Sequence, residues 1–71
     1  MQEIKIKTKK IQLDQFLKWA NLVTSGGEAK ELVQSGNVYV NGEIETRRSH
    51  RIQDGDIVKI DGHNDEYQVR R

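Results

Sequence analysis

The side chains best suited to chemistry in this chain are two histidines and one serine beside a pair of glycines. His50 lies inside a basic run and His63 inside a predicted turn, and neither has a serine or cysteine nearby in a nucleophile context. Ser25 is better explained as a helix cap than as a nucleophile. The residues predict no catalytic site, so an enzyme is the least supported class of function.

The residues that could act as metal ligands are closest together in sequence in the turn at residues 61–65. Asp61, His63 and Asp65 fail the spacing of a calcium loop, and the bidentate glutamate and flanking helices of that loop are missing. The chain has no cysteine, so it offers neither a thiolate zinc site nor a disulfide. The glycines at 26–27 lack the lysine context of a nucleotide-binding loop. We therefore expect no metal and no cofactor.

Charge is strongly segregated although the net charge is only +1. Residues 1–10 carry +3, residues 47–51 (RRSHR) carry +3, and residues 52–66 carry −4. Clustered basic side chains create a local positive field even when the total charge is close to zero. Such clusters are typical of an ordinary solvated surface, but also of a surface that contacts the phosphates of a nucleic acid.

Length and composition limit the class of protein. The 71 residues predict one domain, residues 1–71, with a small core. No apolar run is long enough for a signal peptide or a membrane span. Absence of cysteine fits a reducing compartment. We therefore expect a cytoplasmic protein that is a monomer.

Hydrophobic periodicity predicts the elements in the first half of the chain. Residues 3–7 alternate as a half-buried strand. An apolar face with helical spacing then predicts the first helix, formed by Leu13, Phe16, Leu17 and Ala20. The capping-box spacing of Ser25 and Glu28 predicts the start of a second helix, in which the glutamate reaches back to the amide of residue 25. Gly36 is a natural helix end.

The second half of the chain predicts short strands joined by turns. Residues 38–40 alternate, and Asn41-Gly42 is a strong hairpin signal because a type I′ turn needs positive φ at both central residues. Further strands are predicted at residues 57–60 and 67–69. The fold class is α+β, with two packed N-terminal helices, similar to a helix-turn-helix, against a small, mainly antiparallel sheet of four to five short strands.

The start of the second helix has the properties of an anion site. Ser25, Gly26 and Gly27 expose free backbone amides at the positive end of the helix dipole. Glycine inside a helix costs about 1 kcal/mol relative to alanine, so the pair needs a reason. Either the glycines let a phosphate approach the amides, or they let the two helices pack closely.

Two aromatic side chains are candidates for stacking on a base. Trp19 lies at the edge of the first helix's apolar face, where a tryptophan more often covers the core of a small domain. Tyr39 lies on the polar side of its strand, a position that is common for tyrosines without any ligand. Stacking on an exposed base is the second interpretation of both residues.

In their order and spacing, these motifs resemble the S4 RNA-binding domain, named after small-subunit ribosomal protein four. That family has a Leu-Asp helix start, a serine followed by Ala-Lys in the second helix, a G-x-V-x-V-N-G hairpin and a late Gly-Asp. This chain has them at Leu13-Asp14, Ser25 with Ala29-Lys30, residues 36–42, and Gly55-Asp56. The resemblance covers residues 12–60 and is strongest to the small stand-alone bacterial branch of YaaA/YbcJ-like proteins.

The resemblance implies a non-catalytic protein that binds structured RNA, usually ribosomal RNA, through its two-helix face and hairpin turn. A ribosomal subunit or assembly particle is the implied partner, and ribosome assembly or maturation the implied process. By family position, the contact residues are Gln12, Ser25, Gly26, Gly27, Lys30, Asn41 and Gly42. Charge and position add the basic residues Lys9, Lys10, Lys18, Arg47, Arg48 and Arg51.

Two positions depart from the family pattern. Many members have arginine at the position of Gln12, and many have arginine directly after the serine, where this chain has Gly26. Lys9 and Lys10 lie close enough in sequence to replace the first charge. We interpret the glycine as a variant of the site rather than its loss.

A protein-interaction adaptor is the alternative class of function. The same fold could present Trp19 and Tyr39 to a protein, and the acidic residues 52–66 could dock a basic ribosomal or other RNA-associated protein.

Overall fold

The computed structural model describes all residues, 1–71. Nine elements follow in chain order: β1 (Gln2–Lys5), β2 (Lys10–Gln12), α1 (Leu13–Trp19), α2 (Gly26–Gln34), β3 (Val38–Val40), β4 (Glu43–Ile44), β5 (Arg51–Gln53), β6 (Ile57–Ile60) and β7 (Glu66–Arg70). The α+β class is confirmed. The description of the two helices as N-terminal is wrong, because two strands precede them. The strand predicted at residues 3–7 is present as β1, whereas β2 was not predicted, because it forms by pairing with β5, a segment about 40 residues later in the sequence.

The main sheet has five strands in the order β1-β7-β6-β3-β4. Its pairs are antiparallel except for β1 and β7, which run parallel. The predicted small, mainly antiparallel sheet is therefore present. A separate two-stranded ribbon of β2 and β5 was not predicted, and it places Ile11 opposite Ile52.

One cluster of 13 buried apolar side chains forms the core between the helices and the sheet. Leu13, Phe16 and Leu17 of α1 are fully buried, as their spacing predicts. The helix α2 contributes Ala29 and Val33. The remaining core side chains come from strands and loops: Ile6, Val23, Val38, Ile52, Val58, Ile60, Tyr67 and Val69. Neither helix is both long enough and apolar enough to cross a membrane.

The predicted ends and turns are present. Gly36 follows α2 with φ of +81°, the left-handed conformation that ends many helices. Asn41 and Gly42 have φ of 52° and 85°, as the type I′ hairpin between β3 and β4 requires.

Candidate nucleic-acid interface

The β2–β5 ribbon brings three of the predicted contact residues together. Gln12 pairs with Arg51 across the ribbon, and Lys10 lies two positions before Gln12. Because side chains alternate along a strand, these three share one face and Ile52 turns to the other, where it is fully buried. The ribbon thus presents basic and amide side chains from two distant parts of the chain. Its two strands have the same pattern, KIQ and RIQ, which is the sequence signal that could have revealed it.

A groove of about 350 Å³ lies where this ribbon meets the end of β1 and the exposed side of α1. We call it the Trp19 groove; its polar and aromatic lining is formed by Lys7, Thr8, Lys10, Gln12, Gln15, Trp19 and Arg51. No acidic residue lines it. The three cations are in no ion pair within 4 Å, so the groove has a net positive charge that the protein itself does not neutralise.

Trp19 forms a wall of the groove and is not a buried cover of the core. Its indole N–H donates a 2.6 Å hydrogen bond to the carbonyl oxygen of Lys5. The residue remains 48% exposed. The ammonium of Lys7 lies 5.7 Å from the ring centroid, a cation–π distance. The ring is therefore held in place by its polar edge while its surface stays accessible.

Two further lysines were predicted as RNA contacts: Lys18 lies close to the groove in the fold, and Lys9 lies close to groove residues in the sequence. Lys18 lines a shallower hollow together with Ile11, Gln15 and Trp19, all of which also line the groove. Lys9 is exposed in the segment that joins β1 to β2. Lys18 therefore extends the positive charge around Trp19, whereas Lys9 lies next to the groove residues Thr8 and Lys10 in the sequence but does not line the groove.

The basic loop, residues 47–51, is bonded to the start of α1. The amide of Leu13 donates to the carbonyl oxygen of His50 at 2.8 Å, and the amide of Asp14 donates to that of Arg48 at 3.0 Å. The first amides of a helix have no partner inside the helix, and here no side chain of the N-cap residue Gln12 bonds to them. The loop therefore acts as the cap of α1, and its arginines stand beside the helix.

Arg47 differs from the other arginines of the loop because Glu45 binds it. The Glu45 carboxylate accepts hydrogen bonds from the Arg47 guanidinium at 3.0 and 3.2 Å and from the Arg47 amide at 3.0 Å. The side-chain hydrogen bond from Arg47 is the largest cause that lowers the pKa of Glu45 to about 2. His50 Nδ1 lies 3.5 Å from the same carboxylate. Sequence reasoning missed this role of Glu45.

The capping box at the start of α2 is present, with one change. Ser25 Oγ accepts a hydrogen bond from the amide of Glu28 at 3.1 Å, as predicted. The Glu28 carboxylate accepts instead from the amide of Thr24 at 2.9 Å, one residue earlier than the capping-box pattern predicts. The amides of Gly26 and Gly27 donate to no group of the chain. Lys30, further along α2, is exposed and in no ion pair.

Close helix packing does not explain the glycine pair. A Cβ atom added at Gly26 would meet no atom within 4 Å, and one at Gly27 would reach only Ser25 Oγ at 4.0 Å. Neither residue has a positive φ. Of the two explanations offered by the sequence, the contact with a phosphate stays a prediction, and packing against α1 is not supported.

Asn41 is used inside the fold. Its side-chain oxygen accepts from the amide of Ile57 at 2.9 Å, and its Nδ2 donates to Asp56 at 3.1 Å. These bonds hold the hairpin turn against β6. The Asn41 side chain is therefore already hydrogen-bonded within the protein. The part of the turn that stays available to RNA is mainly the exposed backbone at Gly42.

The structure sorts most of the predicted contact residues into three places. The Trp19 groove has Lys10, Gln12 and Arg51, with Lys18 beside it; the hollow at the hairpin has Asn41 and Arg47; the start of α2 has Ser25, Gly26 and Gly27. No residue of α2 or of the hairpin turn lines the groove. Asp61, His63 and Asp65 form no cluster that could hold a metal ion.

Comparison with known proteins gives the family of this fold and site. The S4 domain family model matches residues 4–70. The probable ribosome maturation protein RlbA of Bacillus subtilis (strain 168) is 44% identical over 59 residues, which is 83% of this chain and 83% of that protein. This chain belongs to the S4 domain family, and the resemblance noted in its sequence is confirmed.

Two solved structures are similar. YbcJ from E. coli, whose solution structure revealed a motif involved in RNA binding, has a TM-score of 0.74 and 32% identity, covering 100% of this chain and 89% of that one. The trimeric Heat Shock Protein 15 of Vibrio cholerae has a TM-score of 0.69 and 24% identity over 80% of this chain. This chain spans 57% of the length of that second protein, and the likeness shows the fold alone.

Proposed function

We propose that this protein binds structured RNA, specifically ribosomal RNA in a subunit or assembly particle, and acts in ribosome maturation by binding alone. The observation that carries this proposal is the segregation of charge in the fold. Lys7, Lys10 and Arg51 meet at the Trp19 groove without a carboxylate, although the chain has nearly as many acidic as basic residues. Unpaired cations on one surface are the footprint of a phosphate backbone.

The carboxylates that form ion pairs belong to other parts of the surface. Glu3 and Asp54 pair with Arg70, Asp65 pairs with the N-terminus, and Glu45 pairs with Arg47. The lysine and arginine side chains that form no ion pair are therefore available to bind a polyanion. Structured RNA suits them because its deep groove hides the base edges and exposes phosphates and 2′-hydroxyls.

The start of α2 supplies a second phosphate contact in this proposal. Gly26 and Gly27 leave two amides without partners at the positive end of α2. Many relatives place an arginine side chain there; this chain instead offers bare backbone with open space around it. Lys30 adds an exposed charge on the same helix.

The relatives support the process and the location. RlbA of Bacillus subtilis is named for ribosome maturation, and YbcJ for a motif involved in RNA binding. A protein that binds ribosomal particles works in the cytoplasm, where we place it. We propose that it acts there as a monomer and as a single domain.

In-cell crosslinking followed by sequencing of the bound RNA tests the proposed function. Enrichment of one ribosomal RNA helix is the expected result, and a flat profile over all transcripts would contradict it. Pull-down after nuclease treatment separates this function from that of a protein-interaction adaptor. Partners that remain bound without RNA would favour the adaptor.

Charge reversal gives the matched test in vitro. Arg48→Glu combined with Arg51→Glu should abolish binding to structured RNA without unfolding the protein, because both arginines are exposed and free of ion pairs. Lys59→Glu is the control, since Lys59 is equally exposed but lies on β6, outside the groove. Equal affinities of the double variant and the control would contradict the proposal.

A further inference from the structure

We propose that the Trp19 groove holds one unpaired nucleotide of the bound RNA strand, with the base stacked on Trp19 and the adjoining phosphate held by Lys10 and Arg51. This inference rests on the proposed function and names the part of the RNA that the groove reads. An extruded nucleotide at a bulge or loop is the form of RNA in which a base face becomes available to a protein.

The aromatic wall is prepared for stacking. The bond from the Trp19 indole N–H to the Lys5 carbonyl satisfies the polar edge of the ring, so a base needs to cover only its apolar face. The Lys7 ammonium lies 5.7 Å from the ring centroid, so a base that stacks on this face replaces an exposed lysine that can turn to a neighbouring phosphate. A ring that is already held in place loses little conformational freedom on binding.

The groove also offers the polar partners that a nucleotide needs. The side-chain amides of Gln12 and Gln15 line it and make no hydrogen bond within the chain. Each amide presents both a donor and an acceptor, which match the edges of a base. Lys10 and Arg51 approach from the ribbon, with Arg51 opposite Gln12 in register, so a charged group and an amide are adjacent.

The size of the groove selects a single nucleotide. Its volume of about 350 Å³ lies at the lower end of the range for small-ligand sites. A duplex cannot enter such a space; it can only lie across the surface outside. The duplex part of the RNA would therefore contact the basic loop, which continues from Arg51 in the groove lining to Arg48 at the start of α1.

The test compares two fluorescein-labelled RNA hairpins that differ in one position. One carries a single bulged adenosine, and the other carries an abasic bulge with the same backbone. Stacking of one base on an aromatic ring predicts about tenfold tighter binding of the adenosine hairpin, measured by anisotropy at one salt concentration. Trp19 is the one tryptophan of the chain, so its emission reports the groove directly. We expect the adenosine hairpin alone to quench it.

Each outcome of this experiment supports or contradicts the groove proposal, the proposed function, or both. Equal affinities and equal emission for the two hairpins would overturn the groove proposal and leave RNA binding intact. Failure of both hairpins to bind at low salt would overturn the proposed function and the groove proposal together. If free AMP quenched the tryptophan emission at the same concentration as the adenosine hairpin does, the groove would bind a free nucleotide. That result would overturn the proposal that it binds a nucleotide within an RNA strand.

Variants separate stacking from folding. Trp19→Ala should reduce the adenosine-to-abasic affinity ratio to about one, whereas Trp19→Phe, which keeps a ring but loses the bond to Lys5, should keep part of the ratio. A purely structural role of Trp19 would lower the affinity for both hairpins equally and leave the ratio unchanged. Gln15 is exposed, and Gln15→Ala removes only a side-chain amide from the groove. This variant should therefore weaken the binding of the adenosine hairpin selectively.

Discussion

The backbone amide of Leu13 donates a 2.8 Å hydrogen bond to the carbonyl oxygen of His50, so the first helix begins on the basic loop. The bond uses an amide that a helix leaves unpaired, and it ties the basic loop to the start of α1. The arginines of that loop are therefore positioned before any RNA arrives. Less conformational entropy is lost on binding than with a flexible basic tail.

The glycine pair gives a prediction with two opposite readouts. Gly26→Ala and Gly27→Ala should each raise the free energy of unfolding, by up to about 1 kcal/mol, because alanine favours the helix and the added Cβ meets open space. RNA affinity should fall severalfold because the Cβ keeps a phosphate away from the amides. Urea denaturation and anisotropy measure the two effects.

Gly62→Ala is the matched control for the glycine pair. Gly62 has φ of +85°, so alanine there should destabilise the protein by about 1 kcal/mol and leave RNA affinity unchanged. Normal RNA binding by both the Gly26 and the Gly27 variant would show that the pair has no part in recognition.

Asn41 is predicted to act on stability first. Asn41→Ala removes two side-chain hydrogen bonds and places alanine at φ of 52°, which together should cost about 2 kcal/mol. Asn41→Gly keeps the backbone conformation and should recover about half of that loss. Asn64→Ala, in an exposed turn, is the control and should change the free energy of unfolding by less than about 0.5 kcal/mol. Equal stability of all three variants would refute this role.

Glu45 predicts a dependence of stability on pH. Its pKa is lowered to about 2 in the folded protein from an ordinary value of 4.5, chiefly by the hydrogen bond from Arg47. A lowered pKa means that the ionised carboxylate stabilises the fold above about pH 4.5 and that this stabilisation is lost as the pH falls towards 2. Glu45→Gln should therefore be less stable than the wild type by about 1 kcal/mol at pH 7.

The difference between the wild type and Glu45→Gln should shrink as the pH is lowered from about 4.5. Urea denaturation at a series of pH values measures it. Glu31→Gln is the control, because Glu31 is exposed and in no ion pair. A constant difference at all pH values would contradict the prediction.

Arg47 and Arg48 are neighbours with different predicted roles. Arg47→Ala should lower the free energy of unfolding slightly, since it breaks an exposed ion pair with Glu45. Arg48→Ala should leave stability unchanged but reduce the salt dependence of RNA binding by about one counterion. Measuring affinity at several salt concentrations distinguishes them. The same loss of slope in both variants would show that Glu45 releases Arg47 to the RNA.

Much of the fold could be predicted because its signals are local. The apolar face of α1, the serine cap of α2 and the Asn41-Gly42 turn each lie within a few residues. The ribbon could not be predicted with the same ease. Its strands have three residues each, too short for a clear alternation, and β2 finds its partner β5 on the other side of both helices in the sequence.

The candidate site was predictable in composition but not in arrangement. Lys10, Gln12 and Arg51 were expected as contacts, but only the pairing of the ribbon makes them neighbours. The indole of Trp19 is held by a bond to Lys5, the last residue of β1, and this contact between a helix and a strand leaves no mark in local periodicity. The commitment of Arg47 to Glu45 is likewise a matter of tertiary geometry rather than residue type.

The parallel pairing of β1 with β7 leads us to expect a particular order of folding. Gln2 aligns with Tyr67, so this edge of the sheet cannot close until nearly the whole sequence is available, and a contact of such high sequence separation forms slowly. The hydrogen bonds within the helices and the β3–β4 hairpin join residues close in the sequence, so we expect these elements to begin to form earlier. Because Trp19 bonds to the last residue of β1, docking of that strand should change the tryptophan emission in a late kinetic phase, after the helical signal has appeared.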